Sequence, residues 1–349
     1  MTLKRRIAEL IAETGPISVA QYMALCLFDP ADGYYTTREP FGAKGDFVTA
    51  PEVSQMFGEL VAVWLASAWQ AAGAPTDAIL AEIGPGRGTL ARDMIRTLKR
   101  IAPALTARVA LIETSPRLTE IQKVTLVETR ATWHRDIGDL PEVPLFIVGN
   151  ELFDAVPIRQ LVKTEQGWRE RCIGLDATEE FTFVAGPGTT DAILPPDAPI
   201  GAIFEIAPAR TALTQQIAER IARNGGAGLF IDYGHLVPDI GDTLQAMRAH
   251  GYADVLAAPG GADLTSHVDF ASLAGVASSI GIETRTMTQA RFLLGMGLLE
   301  RAGQLGAGGD MAMRDRLRGE VERLAGPEHM GELFKVLMVG KGLTGLPPA

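Results

Sequence analysis

The chain has 349 residues, 47% hydrophobic and 21% charged, which suits one large domain with additions or two domains. Its formal net charge of −10, with no cluster of Lys and Arg, excludes nucleic acid as an expected partner and favours a small-molecule or basic protein substrate. Two cysteines, Cys26 and Cys172, supply neither a disulfide framework nor a metal set; no metal is expected, and packed thiols in a reducing compartment are.

At the N-terminus, Leu3, Ile7, Leu10 and Ile11 share one helix face, and Gly15-Pro16 ends that helix. Lys4, Arg5 and Arg6 are followed at once by Glu9 and Glu13, so neither a signal nor a clear transit peptide is read and a bacterial-type cytoplasmic protein is expected. Ser18 caps a second helix carrying Val19, Tyr22, Met23, Cys26 and Leu27, and Tyr34-Tyr35-Thr36-Thr37 is predicted to be extended. Residues 42–52 mix glycines with polar groups and lack a hydrophobic period, the pattern of a lid or connecting loop. A helix then starts with Val53, Met56, Phe57, Leu60, Val61 and Trp64 on its buried face. The longest apolar run, residues 60–69, is about half of the roughly 20 residues that span a bilayer, so no membrane span is expected.

From about residue 78 strands and helices alternate, which predicts a mostly parallel sheet covered on both faces. The strands are read at residues 79–83, 107–113, 132–134, 145–148, 228–232, 282–286 and 333–340, the last reached by a long helical return. Residues 159–162, 168–173 and 181–184 read as inserted antiparallel hairpins, and residues 251–264 as loop. Asp269 caps a helix through Leu273 and Val276, and residues 290–324 are helical with a break at 303–309.

The first strand runs into Glu82-Ile83-Gly84-Pro85-Gly86-Arg87-Gly88-Thr89. Glycines that turn a strand into a helix let a ligand approach backbone N–H groups. A dinucleotide fingerprint G-x-G-x-x-G needs its third glycine at the position of Thr89, whereas Gly84, Gly86 and Gly88 fit the G-x-G-x-G loop used for S-adenosylmethionine. Glu113, ending the next strand, is placed to accept both ribose hydroxyls, and Asp136 to face the adenine amino group. Glu82 and Asn150, at the ends of the first and fourth strands, complete the candidate cofactor set.

Beyond the fourth strand, Glu151 and Asp154 place two carboxylates at the carboxyl edge, where open α/β sheets bind ligands. Methyl transfer asks the protein to align the acceptor lone pair and exclude water. For a guanidinium acceptor, these carboxylates offer charge-assisted hydrogen bonds; the alternative is that Asp154 only caps a turn. His267, in the polar segment 263–270, is a candidate base or orienting group, or a packed structural histidine. Asp46, Phe47, Thr49 and Glu52 of the long loop, with Tyr233 after the fifth strand, are candidate acceptor-site residues.

Several of these segments, taken in order, resemble the MidA family of bacterial and mitochondrial S-adenosylmethionine-dependent methyltransferases tied to respiratory complex I assembly. They are Asp29-Pro30 with Gly33-Tyr34-Tyr35, residues 45–55, 82–90 and 149–155, Asp232-Tyr233-Gly234, and residues 264–270 and 330–336. The resemblance spans nearly the whole chain. It implies a class I α/β fold: a doubly wound, seven-stranded, Rossmann-like methyltransferase sheet with an antiparallel last strand. To this are added an N-terminal helical extension with the lid loop over residues 1–75 and an inserted β-rich subdomain over 161–199. The cofactor-binding domain then comprises residues 76–160 and 200–349. The resemblance also implies S-adenosylmethionine as cofactor and a protein arginine as acceptor, on a complex I subunit, with symmetric dimethylation in the mitochondrial members. Two other readings are methylation of a small molecule in an enclosed pocket and an assembly chaperone that binds the cofactor without turnover. Oligomeric state is left open.

Overall fold

The computed structural model describes residues 1–37, 48–186, 194–248 and 251–348. Its central sheet comprises β1 (Ile79–Ile83), β2 (Val109–Ile112), β3 (Ala131–His134), β4 (Leu145–Asn150), β5 (Gly226–His235), β6 (Glu283–Thr288) and β7 (Phe334–Gly340). They lie in the order β6-β7-β5-β4-β1-β2-β3. β7 runs antiparallel to β5 and β6, and the other neighbours are parallel. Every residue of β1, β2 and β4 is buried, as expected of parallel strands covered on both faces, whose sequences therefore read as continuous apolar runs.

The helices that position the site are α1 (Leu3–Thr14), α2 (Val19–Phe28), α3 (Gln55–Ala71), α4 (Thr89–Ile101), α5 (Pro116–Thr125), α6 (Pro208–Asn224), α7 (Phe270–Ser279) and α8 (Met311–Ala325). One face of the sheet packs against α3 and α4 through Phe57, Trp64, Met94 and Leu98. The other packs against α6 and α7 through Ile217, Ile221, Phe270 and Leu273. A third cluster seats Ile7, Tyr22 and Met23 of α1 and α2 on a separate five-stranded sheet. Among the described residues no helix is long and apolar enough to cross a membrane. Cys26 and Cys172 are both buried free thiols.

Several local expectations give way to long-range pairing. The five-stranded sheet contains Arg159–Thr164, Gly167–Leu175 and Phe181–Ala185, but also Ile203–Ile206 and the two residues Ile17–Ser18. It therefore draws strands from both sides of residues 161–199. Residues 251–264 are not all loop, because Gln245–Arg248 pairs with Gly251–Ala253 and with Asp263–Thr265. Tyr34–Thr37 is a helical turn rather than extended; Thr36 and Thr37 N–H donate to the Gly33 carbonyl, and Tyr35 Oη reaches Asp263 at 2.8 Å. The helix expected from Val53 is split at extended Ser54, whose hydroxyl accepts the Met56 N–H. The helical stretch after residue 289 breaks first at Gly297, with φ +93°, and again between Gly306 and Met311.

β5 is the longest strand of the central sheet. Its final residues Gly234 and His235 pair in parallel with Val268 and Asp269, drawing the 263–269 segment to the carboxyl edge. A Cβ on Gly234 would lie 2.0 Å from the Val268 carbonyl oxygen, and backbone cannot yield as a side chain can. Gly234→Ala is therefore expected to destabilise the fold by about 1–3 kcal/mol, the usual range for overpacking. Thermal unfolding of the variant beside the unaltered protein checks this, and an unchanged midpoint would contradict the close approach.

Candidate active site

Between β1 and α4 the chain turns through Gly84, Gly86 and Gly88 with φ of +66°, +52° and +80°, left-handed conformations that glycine adopts without a Cβ penalty. Gly88 is the N-cap of α4, so the first-turn N–H groups of that helix face the loop. The turn is held by a residue absent from the sequence reading, Gln122 on α5, which is fully buried. Its Nε2 donates to the Gly86 carbonyl at 2.8 Å and to Glu113 Oε2 at 3.0 Å, while its Oε1 accepts Trp133 Nε1–H at 3.0 Å. Glu113 Oε1 takes the Ser115 N–H at 2.8 Å. Burial is the main influence on Glu113 and pushes its pKa up. One amide thus ties the glycine loop to the acidic end of β2 and the indole of β3.

The sheet order reverses direction between β1 and β4, and in open α/β sheets ligands bind in the crevice at that point. The cleft here is lined by Glu82 and the glycine loop from one strand and by Asn150 and Glu151 from the other, with Thr49 and Glu52 above. Glu82 Oε2 and Asn150 Oδ1 are buried and accept no hydrogen bond. Burial holds the Glu82 carboxyl well above the usual carboxylate range. Such acceptors suit a ligand that brings N–H donors. S-adenosylmethionine, with an ammonium, two ribose hydroxyls and an adenine amine, carries donors of that kind, and Glu82, Asn150, the glycine loop and Glu113 are the groups available to hold it.

Glu151 is one of three non-glycine residues with positive φ among the described residues, at +50°, a backbone state that is costly unless the surroundings enforce it. Its Oε1 accepts the Ala50 N–H at 3.2 Å and Asn150 Nδ2–H at 3.0 Å. Burial, then the neighbouring Asp154 charge, raise its pKa to about 7. Glu52 Oε1 accepts the Thr89 hydroxyl at 2.6 Å. The 49–52 segment is thereby fastened to the Glu151 turn and to the glycine loop.

Behind Glu151 lies a buried polar layer. Asp232, fully buried at the end region of β5, accepts the Phe153 N–H at 2.8 Å and the Asp154 N–H at 3.1 Å through Oδ2. Asp154 Oδ1 accepts the Ala155 N–H at 2.8 Å, and the neighbouring Tyr233 Oη accepts Gln245 Nε2–H at 3.4 Å. Burial raises the pKa of both acids, most strongly for Asp232. The cation among them is Arg210, in the first turn of α6 and 2% exposed. Sequence reasoning missed it, although a basic residue in a first turn, opposed by the helix dipole, was a usable signal.

The structure gathers Glu82, Gly84, Gly86, Asn150, Glu151, Thr49 and Glu52 at one cleft, with Gly88 and Glu113 adjoining through the loop and Gln122. Asp154 and Tyr233 stand in the layer behind. His267 packs edge-on against Tyr233, with ring centroids 5.5 Å apart, and lines a different cavity of about 520 Å³. Burial lowers its pKa. Asp136 is exposed and caps the 137–139 turn, accepting the Gly138 N–H at 2.7 Å and Gln216 Nε2–H at 3.2 Å. Asp46 and Phe47 lie outside the described residues.

A seven-stranded sheet of this order, with a glycine loop after its first strand and an acid ending the second, defines an S-adenosylmethionine-dependent methyltransferase. The pattern of the S-adenosyl-L-methionine-dependent methyltransferase family matches residues 60–288, and the chain belongs to that family. It is similar to the protein arginine methyltransferase NDUFAF7, mitochondrial, of Mus musculus, with 36% identity over 366 residues that cover 95% of this chain and 82% of that protein. The Homo sapiens protein of the same name is 36% identical over 360 residues, covering 95% and 81%. A COG1565 superfamily member from Burkholderia thailandensis, crystallised with S-adenosyl-homocysteine, superposes with a TM-score of 0.87 at 29% identity, over 98% of this chain and 92% of that one.

These relatives overturn the expectation of a cytoplasmic protein, because the proteins matched over 95% of this chain are mitochondrial. Glu9 and Glu13 belong to α1, whose Leu3, Ile7 and Ile11 are buried. The acidic residues report a docked helix, not a compartment.

Gln122→Ala would leave the Gly86 carbonyl and Glu113 without their shared donor. Calorimetric titration with S-adenosylmethionine is expected to give affinity at least about tenfold weaker, matching one or two lost hydrogen bonds, with far-UV circular dichroism unchanged. Unaltered affinity would show that the amide does not order the loop.

Proposed function

We propose that this protein transfers methyl groups from S-adenosylmethionine to an arginine guanidinium of a protein substrate, with Glu151 as the group that meets the acceptor nitrogen. In keeping with the family resemblance, the substrate is a respiratory complex I subunit. The observation that carries the reading is the divided carboxylate of Glu151: Oε1 is occupied by the Ala50 and Asn150 donors, which leaves Oε2 for an incoming N–H. The relatives' designation as protein arginine methyltransferases supports the choice of acceptor.

When bound, S-adenosylmethionine supplies a methyl group on a sulfonium sulfur, already activated for in-line displacement. The protein's own work is alignment and proton removal. A guanidinium nitrogen is a weak nucleophile because its lone pair is delocalised, and a hydrogen bond to a carboxylate localises it. As the N–C bond forms, the nitrogen must lose a proton, and Glu151 Oε2 receives it. A carboxylate with a pKa of about 7 accepts that proton near neutral pH far better than an ordinary glutamate. Asp154, held behind the turn, raises this pKa by its charge. Thr49 and Glu52 form the upper wall on the acceptor side.

The sign of the pH dependence follows. Glu151 works ionised, so kcat/KM is expected to fall about tenfold per unit as pH drops below about 7. Glu151→Gln is expected to cut turnover at least about 100-fold, abolish that limb and leave cofactor affinity within about twofold. Equal loss of affinity and turnover would place Glu151 in the cofactor site instead. Glu113→Ala is expected to do the reverse, weakening S-adenosylmethionine by about 1–3 kcal/mol in a titration. Full affinity in that variant would remove Glu113 from the ribose site.

A further inference from the structure

We infer that Arg210 is a positioning residue for methyl transfer, a buried cation that fixes the acceptor turn against the 263–269 segment. The inference rests on the reading of residues 151–156 as the acceptor turn. Arg210 donates to four acceptors: the carbonyls of Asp154 at 3.1 Å, Val156 at 3.2 Å and His267 at 2.7 Å, and Ser266 Oγ at 2.5 Å. Two of these partners belong to the turn that follows Glu151 and two to the segment drawn in by β5. The guanidinium is therefore the joint between them. Asp232 works from the opposite side, taking the N–H groups of Phe153 and Asp154. The turn is gripped by its donors and by its carbonyls at once, and Glu151 keeps its left-handed backbone next to that grip.

The placement is expensive, which argues against an incidental role. The residue is 2% exposed, sits at the dipole end that disfavours a cation, and has no carboxylate among its hydrogen-bond acceptors. Its charge is balanced only through space, by Asp232, Asp154 and Glu205. A lysine cannot reproduce the contact, since a guanidinium presents five donors in a planar fork and an ammonium three from a point. Arg210 also lines the cavity of about 520 Å³, beside Thr211 and His267, so truncation would open its position to small solutes.

That last feature supplies the test. Arg210→Ala, Arg210→Lys and Arg210→Gln would each be measured in three ways: S-adenosylmethionine affinity by calorimetry, amide hydrogen exchange by mass spectrometry, and transfer of tritiated methyl into solubilised complex I subunits. The alanine and glutamine variants are expected to keep cofactor affinity within about twofold and to lose transfer rate at least about 100-fold. They should also gain exchange in residues 151–156 and 263–269 but not in the glycine loop. Guanidinium chloride at low millimolar concentration, well below denaturing levels, is expected to restore at least about tenfold of the rate and the lost protection, whereas methylammonium chloride does not. If alanine fails to fold, the glutamine and lysine variants carry the affinity, exchange and rate comparison, with lysine expected to lose rate and protection as glutamine does. Native exchange in both segments, or loss of cofactor affinity in step with rate, overturns the proposal, as does a folded alanine variant insensitive to guanidinium. The exchange readout needs no acceptor, so it decides the role of Arg210 even where the arginine reading fails. The role of Glu151 fails separately, through an active Glu151→Gln, and the arginine reading through label recovered on another amino acid.

Discussion

The structure depends on one topological constraint: β1 and β4 lie side by side in parallel, and the chain leaves them toward opposite ends of the sheet. Their carboxyl ends cannot be closed over by the same connection, so a crevice opens between them. From one lip come Glu82 and the glycine loop, and from the other Asn150 and Glu151. Everything else serves to hold those lips. Gln122 braces the loop from α5, the 49–52 segment bridges the two sides, and β5 runs past β4 to bring Asp232, Tyr233 and the 263–269 segment to the same edge.

Charge is the second organising quantity. Glu151, Asp154 and Asp232 are three acids within one small region, and burial raises the pKa of each. A cluster of this kind is unstable as three full anions. It persists because backbone N–H groups and the Arg210 charge answer it. The arrangement leaves Glu151, nearest the crevice, poised near neutrality, which is where a proton acceptor works best at physiological pH. The inner acids act differently: Asp154 raises the pKa of Glu151 by its charge, and Asp232 holds the backbone of the turn at Phe153 and Asp154.

What the sequence made legible was local or periodic. β1, β2, β4, β5 and β7 follow from buried apolar runs, whereas β3 and β6 are half-buried and polar, and the glycine loop follows from a backbone that only glycine adopts easily. The separation of Gly84, Gly86, Glu113 and Glu151 along the chain was enough to bring them to one edge. Features built from distant contacts were not visible. Gln122 is an ordinary helical glutamine until Gly86, Glu113 and Trp133 surround it. Ile17–Ser18 is too short to show a strand pattern, and it pairs only because Cys172 and Ile173 are there. Asp136 is read as an adenine ligand from its strand position, and in the structure its Oδ1 also caps the next turn, a contact that strand position does not show. His267 packs on Tyr233 and lines a different cavity, a placement set by the pairing of β5 with Val268 and Asp269.

The central claim is that methyl groups leave S-adenosylmethionine for protein arginine at the Glu151 crevice. Its most direct test is transfer of radiolabelled methyl from S-adenosylmethionine into a matched lysate, followed by hydrolysis of the protein fraction and separation of its amino acids. Label recovered as methylated arginine, and absent when Glu151→Gln replaces the unaltered protein, is the expected result. Label confined to small molecules, or to another amino acid, would contradict the account.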